Sequence, residues 1–352
     1  MAFSAQTKRE LRMASRGNGP LYILIMILTL FISAISPAAA QSPGQFYQGK
    51  TVNLYIGYGP GGGYDIYGRV VARFLGHHIP GKPSVVPQNM PGAGSIRAAN
   101  YVYHVAPKDG TALGIVTQTV ALEEILGTSG VQYKAADFNW IGRVTSNIDV
   151  LIVWNTSKVK TIEDALTLEI PLASPGSGLF IPRILNNVLG TKFKLITGFP
   201  GSNESILAME RGEVEAVSTS WTQIKTSKDD WIKNGTVRII VGYAPERSPE
   251  FPSVPSMVEL ATNEEQKQIL ALYATGSEVG RSIFTTPTVP KDRVQTLREA
   301  FDAMARDPQL LSYIQQIGGE FDPMSGADLQ KIIQGAAAIP ADIREKAITA
   351  QR

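Results

Sequence analysis

Apolar positions along this chain fall into two rhythms. Short unbroken runs cover Val52–Tyr58, Thr111–Thr117, Val150–Trp154, Ile170–Ala173, Phe193–Thr197, Val214–Ser218 and Val237–Gly242. Their length and their Gly, Pro and Ser flanks predict strands, with Ser84–Pro87 a shorter one. Between them, apolar residues recur at helical spacing. Ile66, Val70, Val71 and Phe74 give one face after Asp65. Helices are predicted over Val120–Leu126, over Ile181–Leu189 with a stop at Gly190, and over Glu204–Arg211 with a stop at Gly212. Thr161 followed by Asp164 reads as a capping box. Near the C-terminus Pro290 and Asp292 start a helix that Val294, Leu297, Phe301 and Met304 line and Asp307-Pro308 ends. Strand and helix alternate throughout, which predicts parallel α/β layers joined by right-handed crossovers. Gly276–Gly280 and Pro245–Pro255 are the candidate linkers or crossings.

The first forty residues follow neither rhythm. Lys8, Arg9, Arg12 and Arg16 precede an apolar run from Leu21 to Ile35, and Pro37-Ala38-Ala39-Ala40 follows. That order is the pattern of a secretory signal peptide cleaved after Ala40. The apolar run is shorter than the roughly 20 residues a spanning helix needs. The chain has 352 residues, with 33 basic and 31 acidic. Without the leader's four basic residues and one acid, 29 and 30 remain, so its basic balance belongs to the leader. The remainder has no charge bias toward nucleic acid or an anionic membrane. Its length suits about two domains. There is no cysteine, which excludes disulfides, thiolate metal sites, thiol nucleophiles and a lipid-modified cysteine. A free periplasmic protein is expected.

One chemical pattern repeats. A strand ends, a loop of Gly, Pro and Ser follows, and a helix begins at once, at residues 58–65, 90–96, 173–181 and 198–204, with a less glycine-rich version at 117–121. In parallel α/β sheets such loops lie at the carboxyl ends of the strands, where ligands bind. Helix starts offer unpaired N–H groups and the positive end of a dipole, and glycine exposes that backbone. Any one such loop is also an ordinary turn; four together predict a carboxylate or phosphate held by main-chain donors.

Rival chemistries find little support. Gly57-x-Gly59-x-x-Gly62 matches a dinucleotide fingerprint, but no Asp or Glu lies between residues 66 and 108 to hold a ribose. No Gly-x-Ser-x-Gly elbow and no Walker loop is present. Adjacent His77 and His78 point to different sides of a helix, and His104 stands apart. No cofactor, metal or enzymatic reaction is expected.

Several segments resemble the tripartite tricarboxylate transporter receptors, the TctC or Bug family: Phe46-Tyr47-x-Gly49-Lys50-x-Val52, Pro60-Gly61-Gly62-x-x-Asp65 with Arg69, Asn89-x-Pro91-Gly92-Ala93-Gly94, and Ala106-Pro107-x-Asp109-Gly110-Thr111. Gly201-Ser202, Gly212-x-Val214-Glu215 and Arg247-Ser248-Pro249-x-x-Pro252-x-Val254-Pro255 extend the likeness over nearly the whole chain beyond the leader. The resemblance implies a type II periplasmic binding protein fold, two doubly wound α/β lobes closing on a ligand cleft. It implies a small organic carboxylate held by amides and waters with few charged side chains, and a membrane permease as partner. Carried over, Tyr58, Gly61, Gly62, Gly63 and Asp65, with Thr117 and Gln118, would line the first lobe's side. Ser174, Gly176, Ser177, Gly178 and the loop Phe199–Asn203, with Gly201 and Ser202, would line the second. Asp65 is the exception in chemistry: it reads better as a helix cap than as a contact to an anion.

The chain departs from the family pattern where Thr219 replaces an Asp common in relatives, beside Ser220 and Trp221, and where Tyr64 and Phe199 add rings. These changes predict a cleft more aromatic and less acidic on one wall, suited to a carboxylate with an apolar or aromatic body. Residues 44–146 plus 243–352 are expected to form one lobe and 147–242 the other, in a monomer. The expected function is delivery of a carboxylate to a transporter; an exported enzyme or a solute sensor on the same fold is the alternative.

Overall fold

The computed structural model describes residues 43–174, 179–199 and 202–351. The predicted leader lies outside the described residues, as do Gly176, Ser177, Gly178 and Gly201.

Eleven strands among the described residues form two sheets. β1 (Thr51–Ile56), β2 (Ser84–Asn89), β3 (Ala112–Ile115), β4 (Asn139–Thr145), β10 (Arg281–Thr285) and β11 (Met324–Ser325) make one, in the order β11-β4-β10-β3-β1-β2. β5 (Asp149–Trp154), β6 (Ile170–Ala173), β7 (Phe193–Ile196), β8 (Ala216–Ser220) and β9 (Val237–Gly242) make the other, in the order β7-β6-β8-β5-β9. The helices Gly63–His78 and Ile96–His104 carry the crossovers of the first sheet, and Phe180–Leu189 and Ser202–Glu210 those of the second. β1, β2 and β3 are therefore mutually parallel, as are β6, β7 and β8.

The sheets are not parallel throughout, contrary to the sequence expectation. β10 lies antiparallel between β3 and β4, and β5 antiparallel between β8 and β9. Both intruders arrive from the other sheet. β4 ends at Thr145 and β5 begins at Asp149; after β9 the chain returns through the helix Glu264–Val279 into β10. A strand entering from elsewhere has no crossover helix to force it parallel. Gly276, read as part of a linker, sits in the last turn of that helix, which Gly280 ends with a φ of 48°.

Each sheet is covered on both faces. Along β1, Leu54 and Ile56 join the helices Gly63–His78 and Lys291–Met304, while Tyr55 points to the opposite layer with Ala98, Ala99 and Val102. Along β5, Leu151 and Val153 pack on one side and Val150 and Ile152 on the other. Residues beyond 243 feed both halves: Leu297 and Phe301 pack with the first sheet, Leu270, Tyr273 and Ala347 with the second. At Thr161 the capping box forms, with Thr161 N donating to Asp164 Oδ2 and Asp164 N to Thr161 Oγ1. Only a short 3₁₀ turn, Asp164–Leu166, follows it.

Candidate ligand-binding site

The loop after β1 is built around Asp65. Its carboxylate, 3% exposed, accepts from Gly61 N at 2.8 Å, Arg69 Nε at 2.9 Å and Asn89 Nδ2 at 2.8 Å. Asn89, at the end of β2, also donates to Tyr58 O. Hydrogen bonding from Arg69, backed by Gly61 and Asn89 against the cost of burial, holds the Asp65 carboxyl down to about 2. All of its bonding is turned inward, so Asp65 braces the loop. Gly61 has a φ of 88°, which only glycine adopts without strain, and a Cβ at Gly59, Gly61 or Gly62 would meet open space. The Tyr58 and Tyr64 rings stack at 4.6 Å.

The loop after β3 meets the first one edge on. Thr117 N donates to Ser95 Oγ at 2.8 Å, and Gln118 N to Tyr64 Oη at 2.9 Å. Main-chain donors expected to face a ligand here are already engaged by side chains of neighbouring loops. Gln118 instead presents its amide, whose Oε1 accepts from Asn147 Nδ2 in the segment that crosses to β5.

Between the sheets lies a cavity of about 400 Å³. Tyr58, Tyr64, Thr117, Gln118 and Thr119 line it from the first sheet's loops, and Asp149, Tyr243, Phe180 and Ile181 from the second sheet and its helix. Tyr273, Gly276 and Ser277 of the helix Glu264–Val279 complete it, with Leu122, Leu126 and Glu123. The volume falls in the usual range for small-ligand sites. Its lining combines polar side chains (Thr117, Gln118, Asn147, Asp149) with apolar ones (Leu122, Leu126, Phe180, Ile181).

Of the residues singled out from sequence, Tyr58, Tyr64, Thr117 and Gln118 line this cavity. Gly61, Gly62 and Gly63 form the adjoining exposed loop, where a Cβ on Gly63 would come within 3.0 Å of Arg281 Nη2. Ser174 is buried, its hydroxyl donating to Ser218 O, and Thr219 is buried with no partner for Oγ1 among the described residues. Ser202 opens the helix Ser202–Glu210. Phe199 and Trp221 pack into the core beside Val150 and Ile152; Trp221 also contacts the Phe251 ring and donates to Glu250. The aromatic surface of the cavity comes from Tyr58, Tyr64, Phe180, Tyr243 and Tyr273.

Nor is the cavity wall poor in acids. Asp149, opposite Ser220 in the β5–β8 ladder and one rung from the Val150–Thr219 pair, contributes a carboxyl to the cavity wall. Burial pushes it up to about 6, with Arg281 pulling the other way. Glu123 is likewise raised by burial, opposed by hydrogen bonds from Thr119 and Tyr133. Sequence reading missed Asp149, Tyr243 and Tyr273 because no loop motif marks them: they meet only when β5, β9 and a distant helix pack together.

The chain from residue 69 to residue 348 matches the model of the tripartite tricarboxylate transporter family receptor, TctC. The chain belongs to that family. The receptor is 29% identical to the UPF0065 protein in the gbd 5' region of Cupriavidus necator, over 76% of this chain and 78% of that one. It is 26% identical to BugT of Bordetella pertussis, over 68% and 74%. A TctC solute-binding protein from Polaromonas superposes with a TM-score of 0.66 at 18% identity, covering 86% of the receptor and 99% of that chain. MatC of Rhodopseudomonas palustris, solved with malate, gives 0.56 at 19% identity over 85% and 98%. An R. palustris protein solved with adipate gives 0.58 at 18% identity over 85% and 97%. At these identities the structures establish the two-lobe binding-protein fold. The receptor is a solute-binding protein and not an enzyme. Among the described residues no helix is long and apolar enough to cross a membrane.

Proposed function

We propose that this receptor captures a small organic carboxylate between its two sheets in the periplasm and delivers it to a two-component membrane permease. The observation that carries the reading is one cavity walled by both sheets, with Thr117, Gln118 and Asn147 among its polar lining. The malate and adipate found in structures of the same fold support a carboxylate. Tyr58, Tyr64, Thr117 and Gln118 contact the ligand from one side, and Asp149, Phe180 and Tyr243 from the other. The lobes divide as 44–146 plus 243–352 against 147–242, with the helices Glu264–Val279 and Ala341–Ala350 of the first packed on the core of the second sheet. The short segment between Thr145 and Asp149 and the exit from β9 at Gly242 are the hinges. A ligand touching both lobes favours the closed form by its better contacts there.

Thermal unfolding in the presence of aliphatic and aromatic mono- and dicarboxylates tests this. A rise in Tm with at least one acid, absent with its amide or alcohol, is expected. Stabilisation by uncharged solutes alone would overturn the reading.

A further inference from the structure

The sign of the charge around the cavity is unexpected for a receptor of simple acids. Its wall contains two carboxyl groups, Asp149 and Glu123, and, among the described residues, no Lys, Arg or His. Glu123 is occupied: Thr119 Oγ1 donates to it at 3.0 Å and Tyr133 Oη at 3.4 Å. The Asp149 carboxyl has no hydrogen bond or ion pair among the described residues. Arg281, whose Nε and Nη1 are buried without a hydrogen bond among the described residues, lies over the Tyr67 and Tyr64 rings, at 4.8 and 5.7 Å from their centroids, and lowers the Asp149 carboxyl without bonding it. Beside Asp149, Tyr243 is 5% exposed and its hydroxyl has no hydrogen bond of good geometry among the described residues. Around them stand Tyr58, Tyr64, Phe180 and Tyr273.

A carboxylate left without donors in a half-buried wall is costly unless something brings it a cation or a donor. Tyrosine and phenylalanine rings present negative faces that favour a cation and leave an anion unrewarded. An acid and ring faces, with no base among the described residues of the wall itself, select positive charge beside Asp149. We propose that Asp149 recognises a protonated amine on the ligand, so that the preferred solute is an amino-bearing carboxylate with an apolar body. This rests on the carboxylate reading above and adds a second recognition point to it. The ammonium lies against Asp149 and the surrounding rings. The carboxylate lies toward Gln118, Asn147 and the glycine loop, and the apolar body toward Leu122, Leu126 and Phe180.

The test is calorimetric titration of the receptor with sets of acids that differ only in the amino group: succinate, malate and aspartate; glutarate and glutamate; 3-phenylpropionate, 3-phenyllactate and phenylalanine. Phenethylamine serves as the amine without a carboxylate. The amino member of at least one set is expected to bind about tenfold or more tighter than its amine-free partner, the worth of one charge-assisted bond. Asp149→Asn, checked for folding by circular dichroism, removes that preference, bringing the affinities of the amino acid and its amine-free partner within about threefold of each other. Equal or tighter binding of the amine-free acid in every set overturns the inference and leaves the carboxylate reading standing. Binding of phenethylamine but of no acid overturns the carboxylate reading and, with it, the inference. An Asp149→Asn variant that loses both partners equally assigns Asp149 a structural role and overturns the inference.

Discussion

Replacing Asp65 by Asn removes one charge and nothing of the side chain's size. Asp65 is the junction of the glycine loop: it ties Gly61 in the loop, Arg69 one turn along the helix and Asn89 at the end of β2. Its carboxyl falls from 3.8 to about 2 on folding. Discounted for solvent screening of the half-exposed Arg69 that leads the shift, this corresponds to about 2 kcal/mol of stability at neutral pH. The bond count gives a similar figure: two backbone or amide donors to a buried carboxylate contribute about 1 kcal/mol each or more. The half-exposed Arg69 adds a few tenths. Asn keeps one acceptor but turns an NH₂ toward Gly61 N or Asn89, so Asp65→Asn is expected to cost about 2 kcal/mol, or about 4–8 °C in Tm. The sign with pH follows from the depressed carboxyl. The wild type's advantage is complete above about 4, and it is lost as pH falls through about 2. Urea unfolding of both proteins at pH 7, 5 and 3 measures the gap. A gap under about 0.5 kcal/mol at pH 7, or one undiminished toward pH 2, would refute the reasoning.

Asp149→Asn is expected to stabilise the ligand-free protein by about 1–3 kcal/mol above pH 6. The native carboxyl, raised from 3.8 to about 6, is penalised when ionised; the gain disappears below about pH 4, as paired urea titrations would show. Glu320 joins the halves, bonded to Tyr67 through its backbone and to Thr222 at 2.7 Å and Lys225 at 3.0 Å through its carboxylate. Glu320→Ala should weaken closure by about 1 kcal/mol and lower ligand affinity about fivefold in calorimetry, with little change in Tm. Gly326→Ala would place a Cβ 2.4 Å from Trp140 O and 2.5 Å from Ile141 O, backbone atoms that cannot rotate aside. It should cost about 3 kcal/mol in urea unfolding.

Elements whose sequence announces them at both ends were legible. Ile170–Ala173 and Val237–Gly242 form strands at the residues expected, and the helix before Gly190 ends there with a left-handed glycine. β4 was not legible because its polar members are satisfied only in the fold. Arg143 is buried there with Nη1 on Glu278 O and Nη2 on Asp322 Oδ2, partners more than a hundred residues away. The helix Glu264–Val279 was obscured by Gly276 and Ser277, small residues that allow close approach to Gln118. In the site, glycine corners were visible, but their purpose was only partly so. Side-chain hydroxyls of Ser95 and Tyr64 take up amides that the loop pattern alone presents as free. Asp149 reaches the cavity through the β5–β8 register, which no local spacing encodes.

Native mass spectrometry of the receptor purified from its own cells, beside Gln118→Trp, tests most directly whether the cavity between the sheets holds the solute. The indole would take up cavity space and displace the Asn147 bond. The account predicts one small acid bound to the wild-type protein at one equivalent and none to the folded variant. An acid retained at full occupancy by Gln118→Trp would contradict it.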